Sequence, residues 1–122
     1  MCKRQDGWQG MNWIRKDKRL AIYFRDHGRC VYCERSGKLT LDHLQPVSKG
    51  GRNHTSNLVT ACLACNSARG DKPWREYAQR WPGAVERISR YRRRSIAHLR
   101  PLARIALEQC GNNVSKALAA VA

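Results

Sequence analysis

Two Cys-x-x-Cys pairs, Cys30/Cys33 and Cys62/Cys65, bracket the segment LDHLQPVSKGGRNHTSNLVT. A two-residue gap lets both sulfurs of a pair turn onto one ion, and four thiolates complete a tetrahedral zinc shell. The alternatives for the cysteines are a pair of disulfides or buried thiols. Between the pairs lie Asp42, His43 and Asn57, and Asn66 directly follows the last cysteine. A loop stapled at both ends and carrying an acid, an imidazole and two amides has the residue types of a metal-dependent hydrolytic site. The two remaining cysteines, Cys2 and Cys110, read as a terminal thiol and a small buried apolar residue.

The chain that must position these groups has 122 residues. That is room for one small domain, which buries only about two-thirds of its unfolded surface. A structural metal would matter here, since thiolate-bound zinc contributes on the order of 10 kcal/mol to the folding of small modules. Lys and Arg number 24 against 9 Asp and Glu, a formal charge of +15. Such a field favours a polyanion, with nucleic acid ahead of an anionic membrane surface. No apolar run approaches the ~20 residues needed to span a bilayer. The start MCKRQDGWQG lacks the apolar core of a secretory signal. These features give an expectation of a cytoplasmic protein, in which thiolate–metal is favoured over disulfide.

The periodicity is consistent with a small α+β fold flanked by helices. Residues 1–27 read as an N-terminal arm followed by a helix from about Asn12 to Asp26, with a stripe of Trp13, Ile14, Leu20, Ala21, Tyr23 and Phe24. His27-Gly28 stops it. Residues 28–72 hold the cysteine knuckle, a short strand at Leu39–Leu41 running into Asp42-His43, and a loop opened by Pro46 and Gly50-Gly51. A second extended piece follows at Asn57–Thr60, then a helix from Cys62 to about Arg69. Residues 73–122 read as a basic helical region: Trp74 to Trp81, Ala84 to about His98, a helix begun by Pro101, and a last one from Val114. Trp8, Trp13, Trp74 and Trp81 read as core packing, and His27, His54 and His98 as surface or helix-end residues.

Four features fall in one order: the doublet Asp42-His43, the run Pro46 to Gly51, Asn57-Leu58, and Cys-x-x-Cys-Asn ending at Asn66. His43 and Asn57 are 14 residues apart, and Asn57 and Asn66 nine. In this the segment from about 28 to 72 resembles the HNH endonuclease family, whose ββα-metal core joins two strands, a loop and a helix. Asn66 stands where the family name has a histidine. The resemblance implies that His43 is the general base, that Asp42 and Asn66 hold a catalytic Mg²⁺ or Mn²⁺, and that Asn57 ties the loop and aims the histidine. It implies that Cys30, Cys33, Cys62 and Cys65 hold a separate structural zinc, and that the product ends are 5′-phosphate and 3′-hydroxyl. Asp42 and His43 are adjacent in a strand, so their side chains leave on opposite faces.

The expected function is therefore metal-dependent DNA endonuclease, nicking or cutting both strands. Lys49, Arg52, Arg69 and Lys72 flank the motif as phosphate contacts, and Arg87, Arg90, Arg93 and Arg94 extend the footprint. The alternatives are a non-catalytic zinc-containing nucleic-acid-binding protein, or an accessory nuclease subunit of a phage packaging or restriction machine in a bacterial or phage-infected cell. Separately, ALEQCGNNVSKALAAVA resembles the first half of the helix-turn-helix of Fis-type DNA-binding domains, with a plain helical hairpin as the other reading.

Overall fold

A computed structural model describes residues 14–121. Trp8, Trp13 and Cys2 lie outside the described residues. The first helix, α1, is Lys16–Arg25. Asp17 in its first turn complements the helix dipole. Beyond Asp26 the chain turns through left-handed His27 (φ 65°) and Gly28 (φ 66°), and the Gly28 N–H donates back to the Tyr23 carbonyl at 2.8 Å. The knuckle, residues 30–33, leads to β1, Leu39–His43, which pairs antiparallel with β2, Leu58–Cys62. The register sets Leu41 opposite Thr60, Asp42 opposite Val59 and His43 opposite Leu58. β2 runs straight into α2, Leu63–Arg69, and the Cys62 sulfur caps that helix by accepting from the Cys65 N–H. This strand–strand–helix unit is the expected α+β core.

Four helices follow: α3 (Trp74–Ala78), α4 (Ala84–Tyr91), α5 (Arg100–Gln109) and α6 (Val114–Val121). The pleat of the hairpin divides the interior into two clusters. Leu41 and Leu58 join Leu20, Ile22, Ala103, Leu107 and Ala117 in a cluster between the hairpin and helices α1, α5 and α6. Val59 and Ala61, pointing the other way, join the knuckle, Leu44, Tyr77 and Ile88 in a second cluster with α3 and α4. Among the described residues the sheet has two five-residue strands, too few to stand alone in water, so both coverings are required.

The expected helix from Ala84 to His98 ends instead at Tyr91. Ile88 belongs to the second cluster and Ile96 to the first. The chain must cross between them, and one straight helix cannot serve both. Arg93 and Arg94 close with three-residue turns onto Arg90 and Tyr91, which also relieves the repulsion of like charges at helical spacing. α5, Gly111-Asn112 and α6 form a helical hairpin packed against α1. Cys110 is half-buried beside that cluster, and Trp74 and Trp81 pack against the other. No helix among the described residues is long and apolar enough to cross a membrane.

Candidate active site

The Sγ atoms of Cys30, Cys33, Cys62 and Cys65 all lie within 4.8 Å of one another. Those of Cys33 and Cys62 are 3.8 Å apart. A tetrahedron of ~2.3 Å zinc–sulfur bonds has sulfur–sulfur edges of about 3.8 Å, whereas a disulfide holds its sulfurs at about 2.05 Å. All four are free thiols, and three are buried. Burial pushes the Cys30 and Cys65 thiols up; burial also pushes on Cys62, but hydrogen bonds from Cys65, Cys33 and Cys30 outweigh it and hold that thiol below its ordinary value. The donor set and its spacing are compatible with zinc.

The staple fixes both ends of the hairpin, and Asn57 fixes the 14-residue connection. Its Oδ1 accepts from the Gln45 N–H at 2.7 Å, while its Nδ2 donates to the carbonyls of Gln45 and Arg52 at 3.1 and 2.8 Å. The loop folds so tightly that a Cβ on Gly51 would come 1.7 Å from the Gln45 carbonyl oxygen, so only glycine fits there. From outside, three cations hold the loop by its backbone. Lys18 donates to the Asn53 carbonyl, Arg25 to Thr55 at 2.9 Å and Arg92 to Ser56 at 2.8 Å.

His43 ends β1 on the face that carries Leu58, half-buried, with Nε2 2.7 Å from Asn53 Oδ1. An amide oxygen can only accept, so in this pair Nε2 donates, which in a neutral ring leaves the lone pair on Nδ1. That is the tautomer a general base needs. Asn53 is a residue the sequence reading missed. Its only signal was an amide just past the double glycine, where the loop turns back toward β1.

Asp42 leaves the strand on the other face and is buried. Its Oδ2 accepts from the Tyr32 hydroxyl and its Oδ1 from Arg69 Nη1, both at 2.6 Å. Burial pushes its carboxyl up, against the pull of Arg69, Tyr32 and His43. Arg69 also donates to the carbonyls of His43, Leu44 and Lys72 at 2.9, 2.6 and 2.8 Å. Its side chain is 1 % exposed. This corrects the expectation that Arg69 contacts phosphate: every arm of its guanidinium is spent on the interior, locking α2 to β1. Tyr32 was likewise missed. Asn66 is half-buried on α2, and its side chain makes no hydrogen bond among the described residues.

Of the other expected phosphate contacts, Lys49, Arg52 and Lys72 are exposed beside the loop. Lys49 and Lys72 hold only single carbonyls, of Asp71 and Ala68, at 3.3 Å. Arg93 and Arg94 are exposed, and Arg90 and Arg94 sit over the Tyr91 ring. Arg87 differs. It donates to the carbonyls of Val31 and Tyr32 at 2.8 and 3.0 Å and pairs with Glu34, so it braces the knuckle instead of facing solvent. The placement corrects that part of the expected arginine stripe.

Residues 30–72 match the family model of the HNH endonucleases. No curated protein and no solved structure matches the chain.

Proposed function

We propose that this protein is a metal-dependent DNA endonuclease with His43 as general base. The observation that supports it most is the His43–Asn53 hydrogen bond inside a loop tied by Asn57 and closed by the cysteine cluster. A phosphodiester repels hydroxide and has a poor leaving group. An imidazole held through Nε2, with a lone pair on Nδ1 when neutral, takes the proton from water as it attacks, an effect worth ~10²–10⁴-fold. The cluster of four sulfurs leaves no open coordination position and serves to hold the loop.

Asp42 and Asn66 offer hard oxygen donors, which suit Mg²⁺ or Mn²⁺. Arg69 and Tyr32 take one position on each Asp42 oxygen, and a carboxylate has about four. A divalent ion held there would supply positive charge at the phosphate and the departing oxygen. Lys49, Arg52 and Lys72 would hold neighbouring phosphates.

The test is conversion of supercoiled plasmid with Mg²⁺ or Mn²⁺ added. His43→Ala should lose ~10²–10⁴-fold while keeping its zinc content and melting temperature. Equal activity in that variant removes His43 from the mechanism. A second reading, a zinc-containing protein that binds nucleic acid without cutting it, is favoured by the closure of Arg69 and Tyr32 over Asp42. Salt-sensitive duplex binding with no divalent-dependent nicking by the wild type would select it.

A further inference from the structure

Beside the His43–Asn53 pair lies an open groove of about 910 Å³. Lys18, the loop at 52–56 and the continuous stretch 92–104 build it. Lys18 of α1 and Arg100 and Arg104 of α5 form one side. Arg52 and loop residues 53–56 form another, and the crossing segment, with Arg92, Arg93 and Arg94, closes the third. Among the described residues seven cationic side chains line it, and no carboxylate does. The acid nearest to hand, Asp17, sits behind Arg100 and Arg104 at 3.4 and 3.1 Å and offsets only part of that charge.

The crowding is visible in the groups themselves. Burial and then the Arg100 charge hold Lys18 below the ordinary lysine range. Burial, with Arg75 and Arg93 nearby, does the same to Arg92. Arg100 Nε has no hydrogen-bond partner among the described residues. A groove that gathers this much uncompensated charge is suited to a chain of anions.

The lining also indicates the kind of chain. Single-stranded nucleic acid is gripped through bases stacked on aromatic rings, and among the described residues no Phe, Tyr or Trp lines this groove. Cations and hydroxyls, from Thr55, Ser56 and Ser95, suit the sugar–phosphate rails of a paired duplex. Asn53 lies both in the groove wall and against His43, so a backbone seated here passes beside the residue that holds the imidazole.

We infer that this groove binds the phosphate backbone of duplex DNA flanking the bond to be cut. The inference rests on the nuclease reading for its register but not for its binding. The test is fluorescence anisotropy with a labelled 20-base-pair duplex across a salt series, with no Mg²⁺ or Mn²⁺ added. Arg93 and Arg94 are exposed, so the double variant Arg93→Gln/Arg94→Gln should fold. It should bind about tenfold or more weakly near 0.1 M salt, with the slope of log K against log salt shallower by about 1 to 2. The control Arg35→Gln/Lys116→Gln removes the same charge from exposed positions outside the groove, and its slope should stay near the wild-type value. Equal effects from both pairs, or none from the groove pair, overturn the inference. So does a single strand of the same sequence binding as tightly as the duplex. A wild type that binds through the groove yet never nicks keeps the groove and sinks the nuclease reading; one that nicks with its slope unchanged in the groove variant does the reverse.

Discussion

The two sides of the hairpin are held by different physics. On the side of α1, α5 and α6 the contacts are aliphatic and small, with alanines 21, 103, 106 and 117 letting helices approach closely. On the knuckle side the cluster is built from sulfur and rings: Tyr32, Tyr77 and Trp81 meet edge-on or tilted, with centroids 5.1 to 6.1 Å apart, above four cysteines. The first side can form from apolar burial alone. The second asks four polar sulfurs to share one buried place. Each side nonetheless contains one buried Arg–Asp pair. Arg25 and Asp26 meet at 2.7 Å at the end of α1, and Arg69 and Asp42 at 2.6 Å beneath the site. The difference between the sides teaches where an ion would be needed to hold the protein and where it would not.

The sharpest way to break that comparison is to remove the metal. Zinc withdrawn by a strong chelator, with the content followed by elemental analysis, should cost on the order of 10 kcal/mol on the knuckle side. The hairpin and aromatic cluster should lose their ordered signals in NMR spectra before α1, α5 and α6 do. A melting temperature that ignores the chelator would show that the cysteines are ordinary core residues and that both sides are held alike.

The two buried ion pairs sharpen it next. Removing one partner of such a pair leaves an uncompensated charge and costs about 3–5 kcal/mol. Arg25→Met and Arg69→Met should therefore both destabilise strongly, measured by urea unfolding. They should part on adding Mn²⁺. Asp26 is fully enclosed, accepting from Arg25 and from the Thr60 N–H at 2.8 Å. Asp42 accepts from Tyr32 and from Arg69 of α2, the helix that also carries the expected ligand Asn66. Millimolar Mn²⁺ should restore stability to Arg69→Met and none to Arg25→Met, because a ligand bound only by the native state stabilises it by mass action. Equal response in both would mean that Asp42 is as closed as Asp26 and holds no ion.

Much of the stapled half was legible because its signals are local. The cysteine spacing located the knuckle, and the alternation at Leu39–Leu41 and Asn57–Thr60 located strands now seen at Leu39–His43 and Leu58–Cys62. What was not legible depends on contacts remote in sequence. Nothing local says that Arg69 is interior, since arginine is among the residues least often buried unless paired, and its partner Asp42 is 27 residues away. Arg87 was expected to extend the phosphate footprint, yet it reaches carbonyls 55 and 56 residues back. The break after Tyr91 follows from two clusters that must both be fed, which periodicity within one segment does not reveal. The groove was only half visible: Arg93 and Arg94 announced themselves as charge, but Lys18, Arg100 and Arg104 join them only once α1 and α5 are packed together.

The smallest effect comes from the helical side, at Asp17. This carboxylate is 6 % exposed. It accepts from the Lys18 N–H at 2.9 Å and pairs with Arg15, Arg100 and Arg104 at 3.4, 3.4 and 3.1 Å. Burial pushes its carboxyl up, but the Arg100 charge, the Arg104 bond and the Lys18 N–H together outweigh burial and hold it below the ordinary 3.8. Between that depressed value and 3.8 the unfolded chain binds more protons than the folded one, so stability rises with pH through the window. The contribution is present above 3.8 and is lost as pH falls through the folded value. Arg15 and Arg104 are mostly exposed, and solvent screening holds the effect to a few tenths up to about 1 kcal/mol. Asp17→Asn should therefore melt slightly below the wild type at pH 6, and the gap should close as the pH drops below 3.8. Acid also displaces a thiolate-bound ion, but both chains share that loss, so their difference isolates Asp17. A gap that widens in acid would mean that burial, and not the arginines, governs this carboxylate, and that the helical side carries an electrostatic cost of its own.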